Sequence, residues 1–562
     1  MSTATTTRSE AIPLTPLKAR QDATSNDTRE PASQLQSSVS SINNPSTPIT
    51  DDDERSIALA QSPPPALSKI RLILTIFQPS LINFFFSFTN GVITVGLPVI
   101  AKDIQLPRAL YLWPSSVHGL TSGSLLLIAG AVADIIGVRG FEIFGITLLG
   151  AFTLSCGFAA NGVQLVVFRA MQGAATAIHL PSSVALIAAA VPSGKARNLG
   201  FACLGLSQPF GFSVGLVASG FMVESIGWRA GFYIPGGAML VTAIVAWWAL
   251  PKVKRSSDTH GKSVWKQIGT DVDWIGGLIA SGGLAMLAYV LAVLSADLGS
   301  IKSAETASLL AVSLVLLAAF PFWMHTQERA GRPALIPNSI WKNLPFTSTC
   351  IMVALSYGVV NSIEIFSSLY FQEVQSVSTQ TTSLYLLPNL VTGTLINLSV
   401  GIFVDRIPAN WLVSGSAVIS AASPLLMAVV NPEWKYWYLE FWAQVFAPFS
   451  GDVLFTVGLI IVSDNFPEKT QALAGAVFNT VAQFGTSLGI GVCQVVALGV
   501  MGNGASVGHD DNSEAAFDDQ DPSTLLKGYR AGFWTMFAYM IVCVIIAILG
   551  LRKAGKVGLK KE

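Results

Sequence analysis

The chain has 562 residues, of which 51% are hydrophobic and only 12% are charged. Its mean hydropathy is +0.56, a value that no water-soluble protein with a single core would show. The formal net charge at pH 7 is zero, so charge alone indicates no particular partner. The composition excludes an ordinary soluble protein and predicts a chain that crosses a membrane many times.

Residues 1–68 differ in composition from the rest of the chain. They are rich in Ser, Thr, Pro, Asp and Gln and have almost no periodic apolar pattern, which predicts a disordered cytosolic tail. No apolar core follows a basic start, so we expect no cleavable signal peptide and insertion from the first span onward. A short basic cytosolic tail is expected at 552–562.

Fourteen apolar runs follow the first tail. Each is long enough to cross a bilayer as a helix, because about 20 residues at roughly 1.5 Å rise span the hydrocarbon core. The sequence therefore predicts an all-α polytopic membrane protein with 14 transmembrane helices. The predicted spans are 72–100, 116–137, 140–160, 163–191, 198–222, 230–250, 273–295, 306–325, 346–372, 381–404, 411–430, 435–463, 470–500 and 530–551.

The basic residues are distributed unevenly between the two sides of the membrane. With a cytosolic N-terminus, the cytosolic segments hold 25 of the 33 Lys and Arg residues and the opposite side holds 7, while Arg169 lies inside a span. By the positive-inside rule, this asymmetry predicts that both termini face the cytosol. The longest outside loop, Gly502–Lys527, is acidic, which suits a non-cytosolic face.

Charged residues inside the predicted spans are few. Arg169 lies in the fourth run, Val163–Val191, where a cation is costly unless it faces a wet or paired site, so its default interpretation is functional. Asp452 lies about eleven residues from the cytosolic end of the twelfth span, which places it near the midplane. Glu364 lies in the outer half of the ninth span. We therefore expect a functional site with Arg169 and Asp452 inside the membrane.

Other polar residues of the spans have weaker interpretations. Glu440 follows an aromatic cluster that is typical of a membrane interface, so no function is predicted for it. His179 is interpreted as a packed side chain. Asparagine and glutamine side chains can line a polar path or hydrogen-bond helices together. The candidates for cavity lining are Asn83, Asn90, Gln208, Asn361, Asn389, Asn479 and Gln483.

No cofactor site is predicted. The five cysteines lie singly in apolar runs without a metal-type spacing, so neither a disulfide framework nor a metal site is indicated. The phosphate-binding pattern G-x-x-x-x-G-K-[ST] is absent, which disfavours transport energised by ATP within this chain. We expect no enzymatic activity, no nucleic-acid partner and a protein that acts as a monomer.

Two cytosolic turns resemble each other. The turn GAVADIIGVRG at 130–140 follows the second span, and GIFVDR at 401–406 follows the tenth. Equivalent turns indicate repeated halves, with a six-helix half at 69–250, a loop with two extra helices at 251–330 and a second six-helix half at 331–551. Such halves are typical of secondary transporters with a central binding site.

Three motifs resemble those of a known family. The turn at 130–140 is similar to the signature loop G-x-L-A-D-R-x-G-R-R of the major facilitator superfamily, with Ile135 and Gly140 in place of basic residues. RAMQG at 169–173 resembles the R-x-x-Q-G signature of the fourth helix, and GLSQPFGFSVG at 205–215 resembles a degraded antiporter motif. With GWR at 227–229, GAVFNTVAQFG at 475–485 and the fourteen spans, residues 70–551 resemble the fungal form of the fourteen-spanner drug:proton antiporters.

Physical roles accompany this resemblance. An aspartate and an arginine in a cytosolic turn can form a charge lock between helices in one conformation and release it in another. The predicted lock comprises Gly130, Asp134, Gly137, Arg139, Asp405 and Arg406. Glycines on one helical face let another helix approach closely, and a proline permits a bend. The predicted helix-packing motif comprises Gly205, Pro209, Gly211 and Gly215.

The first helix departs from the family pattern. Members often carry an acidic residue near the start of the first-helix signature, and Thr89 stands in that place here. Asp452 is therefore the preferred candidate for proton coupling, and Glu364 is the second candidate. Arg169 would be the fixed cation, with Gln172 of the same signature beside it.

These observations predict a proton-coupled transporter that exports drugs, toxins or secondary metabolites by alternating access, in the plasma membrane or alternatively in a vacuolar or vesicle membrane. Its partners would be a small-molecule substrate, protons and the bilayer. The alternative is an uptake or organellar carrier for siderophore-bound iron or a basic amino acid. A non-transporting receptor, the third class, would lack the intramembrane charges. Two carboxylates converging at the midplane would favour a cationic solute; because Asp452 is the only acid predicted near that depth, export of mostly apolar compounds is preferred.

Overall fold

The structure, a computed structural model, describes residues 69–107, 110–191, 195–251, 264–296, 298–403, 407–466, 468–505 and 521–552. The tails 1–68 and 553–562 and most of the acidic loop lie outside the described residues. The predictions made for these segments therefore stay predictions.

Helices make up the architecture, and the described residues contain no strand. The first six, named here the N-terminal block, are α1 (Lys69–Asp103), α2 (Trp113–Ile136), α3 (Val138–Gly157), α4 (Gly162–Ala190), α5 (Lys195–Ser225) and α6 (Ala230–Ala249). Next come the short α7 (Val264–Asp271) and the two extra helices α8 (Trp274–Ala296) and α9 (Ala304–Arg329). The C-terminal block comprises α10 (Leu344–Leu369), α11 (Thr379–Phe403), α12 (Ala409–Val429), α13 (Glu440–Phe446), α14 (Phe449–Asn465), α15 (Glu468–Ala505) and α16 (Pro522–Gly550).

Thirteen spans in the described part of the chain are long and apolar enough to cross a membrane. Helices α13 and α14 together form one of them, Glu440–Val462, with a break at Ala447 and Pro448. Helix α11 takes the place of the remaining predicted span, 381–404. The predicted all-α membrane fold is confirmed.

The last helix begins eight residues before the predicted span 530–551. Asp521 caps it, since its side chain accepts a hydrogen bond from the backbone N–H of Ser523, and Pro522 occupies the first helical position. Both features are typical of helix starts. The hydrogen bonds from Ser523 lower the pKa of the Asp521 carboxyl. The polar first two turns hid this start from a search for apolar runs.

Helices α1 and α5 touch through their backbones. A Cβ atom added at Gly211 would overlap the backbone of Phe84, and one at Gly215 would overlap the backbone of Phe88. From the other side, a Cβ at Gly91 would lie 2.6 Å from the backbone nitrogen of Leu216. Only glycine permits such an approach. The pair α1–α5 is therefore held at the distance that these glycines set.

The first and fifth spans of the C-terminal block, α10 and α15, meet in the same way. A Cβ at Gly358 would lie 2.8 Å from the carbonyl oxygen of Gly485, and Gly489 also faces Gly358. Glycine contacts thus join the equivalent helix pair in both blocks. This correspondence is what an internal repeat would produce.

The extra helices pack beside the two blocks. Helix α8 contacts α2, α15 and α9. Asp273 fixes its start, because Oδ1 accepts from the backbone N–H of Gly276 at 2.8 Å and from the indole N–H of Trp323 in α9 at 3.0 Å. Only 11% of the span in α9 is buried against protein. Most of α9 therefore faces away from the other described helices.

Candidate functional site

A cavity of about 260 Å³ lies between the two blocks. Residues of α1, α2, α4 and α5 form one wall, and residues of α10, α11, α14 and α15 form the other. The lining includes Arg169, Glu364 and Asp452. The structure thus brings together the three intramembrane charges that the sequence singled out.

Arg169 belongs to the N-terminal wall and is 1% exposed. Its guanidinium donates to the carbonyl oxygen of Pro114 at 2.8 Å, to Oε1 of Gln172 at 2.5 Å and to Oδ1 of Asn90 at 2.7 Å. All three acceptors are neutral. They hold the side chain in place without cancelling its charge.

Gln172 lies behind Arg169 rather than in the cavity lining. It is fully buried, and its amide donates to Oγ1 of Thr153 at 2.8 Å and to Oγ1 of Thr89 at 3.4 Å. Gln172 therefore orients the guanidinium from behind it and does not line the cavity itself. Thr89, which stands where the family often has an acid, is part of this support.

Glu364 belongs to the opposite wall. It is 7% exposed, and Oε1 accepts a hydrogen bond of 3.1 Å from the amide of Asn389 in α11. Asn389 lines the cavity as well. The carboxylate is thus oriented by a neutral donor from the neighbouring helix.

Asp452 lies on the same wall but in a different local setting from the one predicted. The sequence placed it deep in one continuous span, whereas the structure places it in the first turn of α14, directly after the break at Ala447 and Pro448. The amino end of a helix favours a negative charge. Asn397 lines the cavity on the same wall, and the missing side chain of Gly393 leaves room for the carboxylate.

The three charged groups of the cavity have no ionic partner among the described residues. Where both side chains are described, contacts between an acidic and a basic group join His179 to Glu142 and Arg229 to Asp103. A buried charge without a partner is expensive in a membrane. Positive charge therefore stands on one wall and negative charge on the other, with no salt bridge across.

The predicted polar lining divides into two groups. Asn90, Gln208, Asn361, Asn389 and Gln483 line the cavity. Two others lie elsewhere: the amide of Asn83 joins α1 to α5 through the carbonyl oxygen of Leu204 and Oγ of Ser207, and the amide of Asn479 returns to the carbonyl oxygen of Gly475. The amide of Asn83 thus links two helices, and the amide of Asn479 bonds within its own helix.

His118 also lines the cavity, and it was not among the residues predicted to do so. Its Nε2 lies 3.2 Å from Oγ1 of Thr176, and its ring packs on Phe86 with centroids 4.6 Å apart. An ionisable residue near the start of the second span was the available signal. Tyr357 and Phe455, which lie 5.6 Å apart by their ring centroids, also line the cavity.

Among the described residues, two carboxylates that are at most 1% exposed lie outside the cavity. Glu142 in α3 pairs with Nδ1 of His179 at 3.0 Å, and both side chains are at most 1% exposed. His179 is thus packed, as predicted, but with a charged partner that the sequence analysis missed. Glu440, for which no function was predicted, is 1% exposed and accepts hydrogen bonds from Tyr370 and Gln375 at 3.0 and 2.7 Å.

The predicted conformational lock is described only in part. Gly137 separates α2 from α3 with φ = +107°, a value that favours glycine. Arg139 donates to the carbonyl oxygen of Trp247 at the end of α6, at 2.6 Å. The side chain of Asp134 and the turn with Asp405 and Arg406 lie outside the described residues. Gly130 lies in the last two turns of α2.

The predicted helix-packing motif of α5 serves two surfaces. Gly205 and Pro209 line the cavity, while Gly211 and Gly215 lie against α1. One short segment therefore contributes both to the cavity wall and to the closest helix contact of the N-terminal block.

Three hydrogen bonds join the two blocks within the described residues. Their positions are the outer ends of the helices, meaning the ends that the charge pattern predicts to lie away from the cytosol. Tyr111 of the N-terminal block donates to Glu373 at 2.6 Å, and Tyr529 also donates to this carboxylate. The amide of Gln372 donates to the carbonyl oxygen of Val95 at 2.9 Å. The backbone N–H of Gln380 donates to the carboxylate of Glu224 at 2.9 Å.

The family model of the major facilitator superfamily matches residues 80–490. The chain belongs to this superfamily. It is 38% identical over 526 residues to MFS-type transporter 1 of Pyricularia oryzae, covering 88% of this chain and 85% of the relative. It is 24% identical to the major facilitator superfamily multidrug transporter mdr3 of Aspergillus fumigatus, covering 87% and 81%. The predicted resemblance is confirmed.

A solved structure shares the fold. It is a bacterial homologue of the human lysosomal transporter Spinster in an inward-facing, occupied conformation, with a TM-score of 0.59 and 16% identity. The match covers 86% of this chain and 98% of the other. At this identity the likeness shows the fold alone.

Proposed function

We propose that this chain is a proton-coupled secondary transporter that exports small organic molecules by alternating access. The observation that carries the proposal is the cavity between the blocks, where Arg169, Glu364 and Asp452 meet without an ion pair among the described residues. Ionisable residues buried in a membrane mark substrate or ion pathways. Sites between repeated halves are where secondary transporters bind.

In the proposed cycle, this structure represents a state that is closed at the outer ends. Tyr111, Glu373 and Tyr529 form one contact between the blocks there, and Gln372 forms another. Outward opening must break these bonds as one block rocks against the other. We infer that the cavity loads from the cytosolic side in this state.

Glu364 and Asp452 are the proposed proton sites. Two ionised carboxylates on one wall repel each other, and a proton on either removes that repulsion. Arg169 on the opposite wall stabilises the carboxylate that stays ionised. One proton moving down 100 mV supplies about 2.3 kcal/mol, enough for roughly a fifty-fold gradient of a neutral solute at full coupling.

The direction of transport rests on the relatives. The Aspergillus fumigatus relative is named a multidrug transporter, and we transfer export to this chain as a proposal. The basic asymmetry of the loops supports cytosolic termini. A plasma-membrane location and a monomer complete the proposal.

A second candidate is a carrier for a cationic solute such as a basic amino acid. The preference for apolar substrates rested on Asp452 as the only acid near its depth, but Glu364 lines the same cavity. Two carboxylates on one wall favour a substrate with a cationic group. This candidate keeps the same cavity and proton sites and differs in substrate and direction.

The first experiment identifies a usable compound. A host strain with the gene deleted and restored is tested for sensitivity to a panel of drugs, toxins and organic cations. The export proposal expects higher sensitivity in the deletion strain for some compounds. Resistance on deletion, together with reduced uptake, would instead support the second candidate.

The second experiment tests coupling with that compound. Purified protein in vesicles with an imposed pH gradient is compared as wild type, Glu364→Gln and Asp452→Asn. We expect the variant that lacks the coupling carboxylate to lose uphill accumulation of the compound but to keep its downhill exchange. Glu440→Gln is the matched control, because it neutralises a buried carboxylate outside the cavity. Uphill transport that survives in the Glu364→Gln/Asp452→Asn double variant contradicts the proposed proton sites.

A further inference from the structure

The cavity is electrically polarised. Its N-terminal wall carries Arg169, and its C-terminal wall carries Glu364 and Asp452. In the described residues, neither wall supplies its own charges with an ionic partner. A cavity built in this way presents an anion site and a cation site to the same ligand.

The guanidinium retains hydrogen-bonding capacity. It has five N–H donors, and three of them are accounted for by Pro114, Gln172 and Asn90. Because all three acceptors are neutral, the positive charge remains available to a ligand. An arginine fork of this kind suits a planar oxyanion such as a carboxylate.

The opposite wall is complementary to an ammonium or other protonated nitrogen. Glu364 accepts one described hydrogen bond, from Asn389, and Asp452 lines the same wall. Carboxylate oxygens have about four acceptor sites in total, so each group can accept more. Neutral amides of the C-terminal wall, such as Asn361 and Gln483, add donors and acceptors without changing the net charge.

Charge balance then distinguishes the classes of ligand. With one proton shared by the two carboxylates, the three groups sum to zero, with a positive and a negative end. A purely cationic ligand would leave Arg169 unpaired, and a purely anionic ligand would leave a carboxylate unpaired. A ligand that carries both charges pairs both ends, which removes the cost of isolated buried charge.

We propose that the substrate is an amphoteric small molecule whose protonated nitrogen faces Glu364 and Asp452 and whose oxyanion faces Arg169 and Asn90. This inference rests on the proposed function, because it names the substrate class of the same site. Aromatic rings of Phe86, Tyr357 and Phe455 line the space between the walls. They suit a ligand that carries a flat apolar ring in addition to its two charges.

The test uses two series of compounds with matched rings. The indole series is tryptophan, tryptamine and indole-3-propionate; the phenyl series is phenylalanine, phenethylamine and 3-phenylpropionate. In each, the first member has both charges and the others lack one. Saturation binding of each compound is measured on the full chain in proteoliposomes. We expect the amphoteric member of at least one series to bind about tenfold tighter than its single-charge analogues, since a charge-assisted hydrogen bond contributes this much.

Variants of the charged residues test which wall of the cavity binds each charge of the ligand. Arg169→Gln should bring the affinities for the amphoteric compound and the amine to within about twofold while keeping the preference over the acid. The Glu364→Gln/Asp452→Asn double variant should bring the affinities for the amphoteric compound and the acid to within about twofold while keeping the preference over the amine. Arg169→Lys keeps the charge and should retain part of the preference, which guards against a misfolded Arg169→Gln. Glu440→Gln should preserve both preferences.

The outcomes separate this inference from the proposed function. No preference for the amphoteric member in either series, or an equal loss of amine and amphoteric binding in Arg169→Gln, overturns the inference. If an amine or a panel compound still moves uphill under a pH gradient, the proposed function stands without the inference of an amphoteric substrate. If no compound moves in response to the gradient, the proposed function itself fails.

Discussion

The buried pair of Glu142 and His179 offers a sharp test of how charge is tolerated inside the N-terminal block. Their side chains are 0% and 1% exposed and meet at 3.0 Å. Gln78 is a further donor to the carboxylate, at 3.4 Å. The pair joins α3 to α4, the helix that carries Arg169. Removing His179 leaves a carboxylate in apolar surroundings with one neutral donor.

The size of the effect follows from this burial. Removing one partner of a buried hydrogen-bonded pair costs about 1–3 kcal/mol, and more where the group left behind is charged, whereas replacing both partners is often far less damaging. We expect His179→Gln to lower the free energy of unfolding by about 3 kcal/mol. The double variant Glu142→Gln/His179→Gln should be more stable than the sum of the two single changes predicts, by about 1 kcal/mol or more.

The assay is reversible unfolding in mixed micelles, followed by tryptophan fluorescence, for the wild type, both single variants and the double variant. Glu305→Gln, an exposed change at the start of α9, serves as the control and should change stability by less than about 0.5 kcal/mol. Additive effects of the two single changes would refute the argument, because they would mean that the side chains do not interact energetically.

Three further predictions concern the helices and their ends. Gly211→Ala should destabilise the protein by about 1–3 kcal/mol through overlap with α1, whereas Gly237→Ala should be tolerated because no atom lies within 4 Å of its added Cβ; equal unfolding midpoints would contradict the close contact. Tyr111→Phe removes a hydrogen bond between the blocks at their outer ends and should increase labelling of a cysteine in the cavity by an impermeant outside reagent; unchanged labelling would argue against a gate there. Cysteines at Ser513 and Ser256 should be labelled from opposite sides of the membrane, and labelling of both in sealed cells would refute the topology.

The sequence predicted the fold well because the bilayer imposes a simple rule. Apolar runs must be helices, and the superfamily motifs set their grouping. The positions of Gly211 and Gly215 were also informative, since two glycines one turn apart leave a groove that another backbone can enter. Helix starts such as Asp521 were missed because capping is local and polar, which hydropathy does not detect.

The site was harder to predict because it depends on partners distant in the sequence. Glu364 was predicted in the outer half of its span, and only the arrangement of α10 and α14 shows that it lines the same cavity as Asp452. The break before α14 changed the setting of Asp452. Glu142 and His179 carry little information singly; their pairing across two helices is a property of the fold.

The cavity carboxylates are proposed to couple substrate movement to protons. This coupling can be measured directly as proton flux in proteoliposomes that contain a pH-sensitive dye, after addition of the compound whose export depends on the gene. The wild type should show a pH change that follows substrate movement, and the Glu364→Gln/Asp452→Asn variant should exchange substrate without it. An undiminished pH change in that variant, or substrate accumulation by the wild type without proton movement, would contradict proton coupling through these carboxylates.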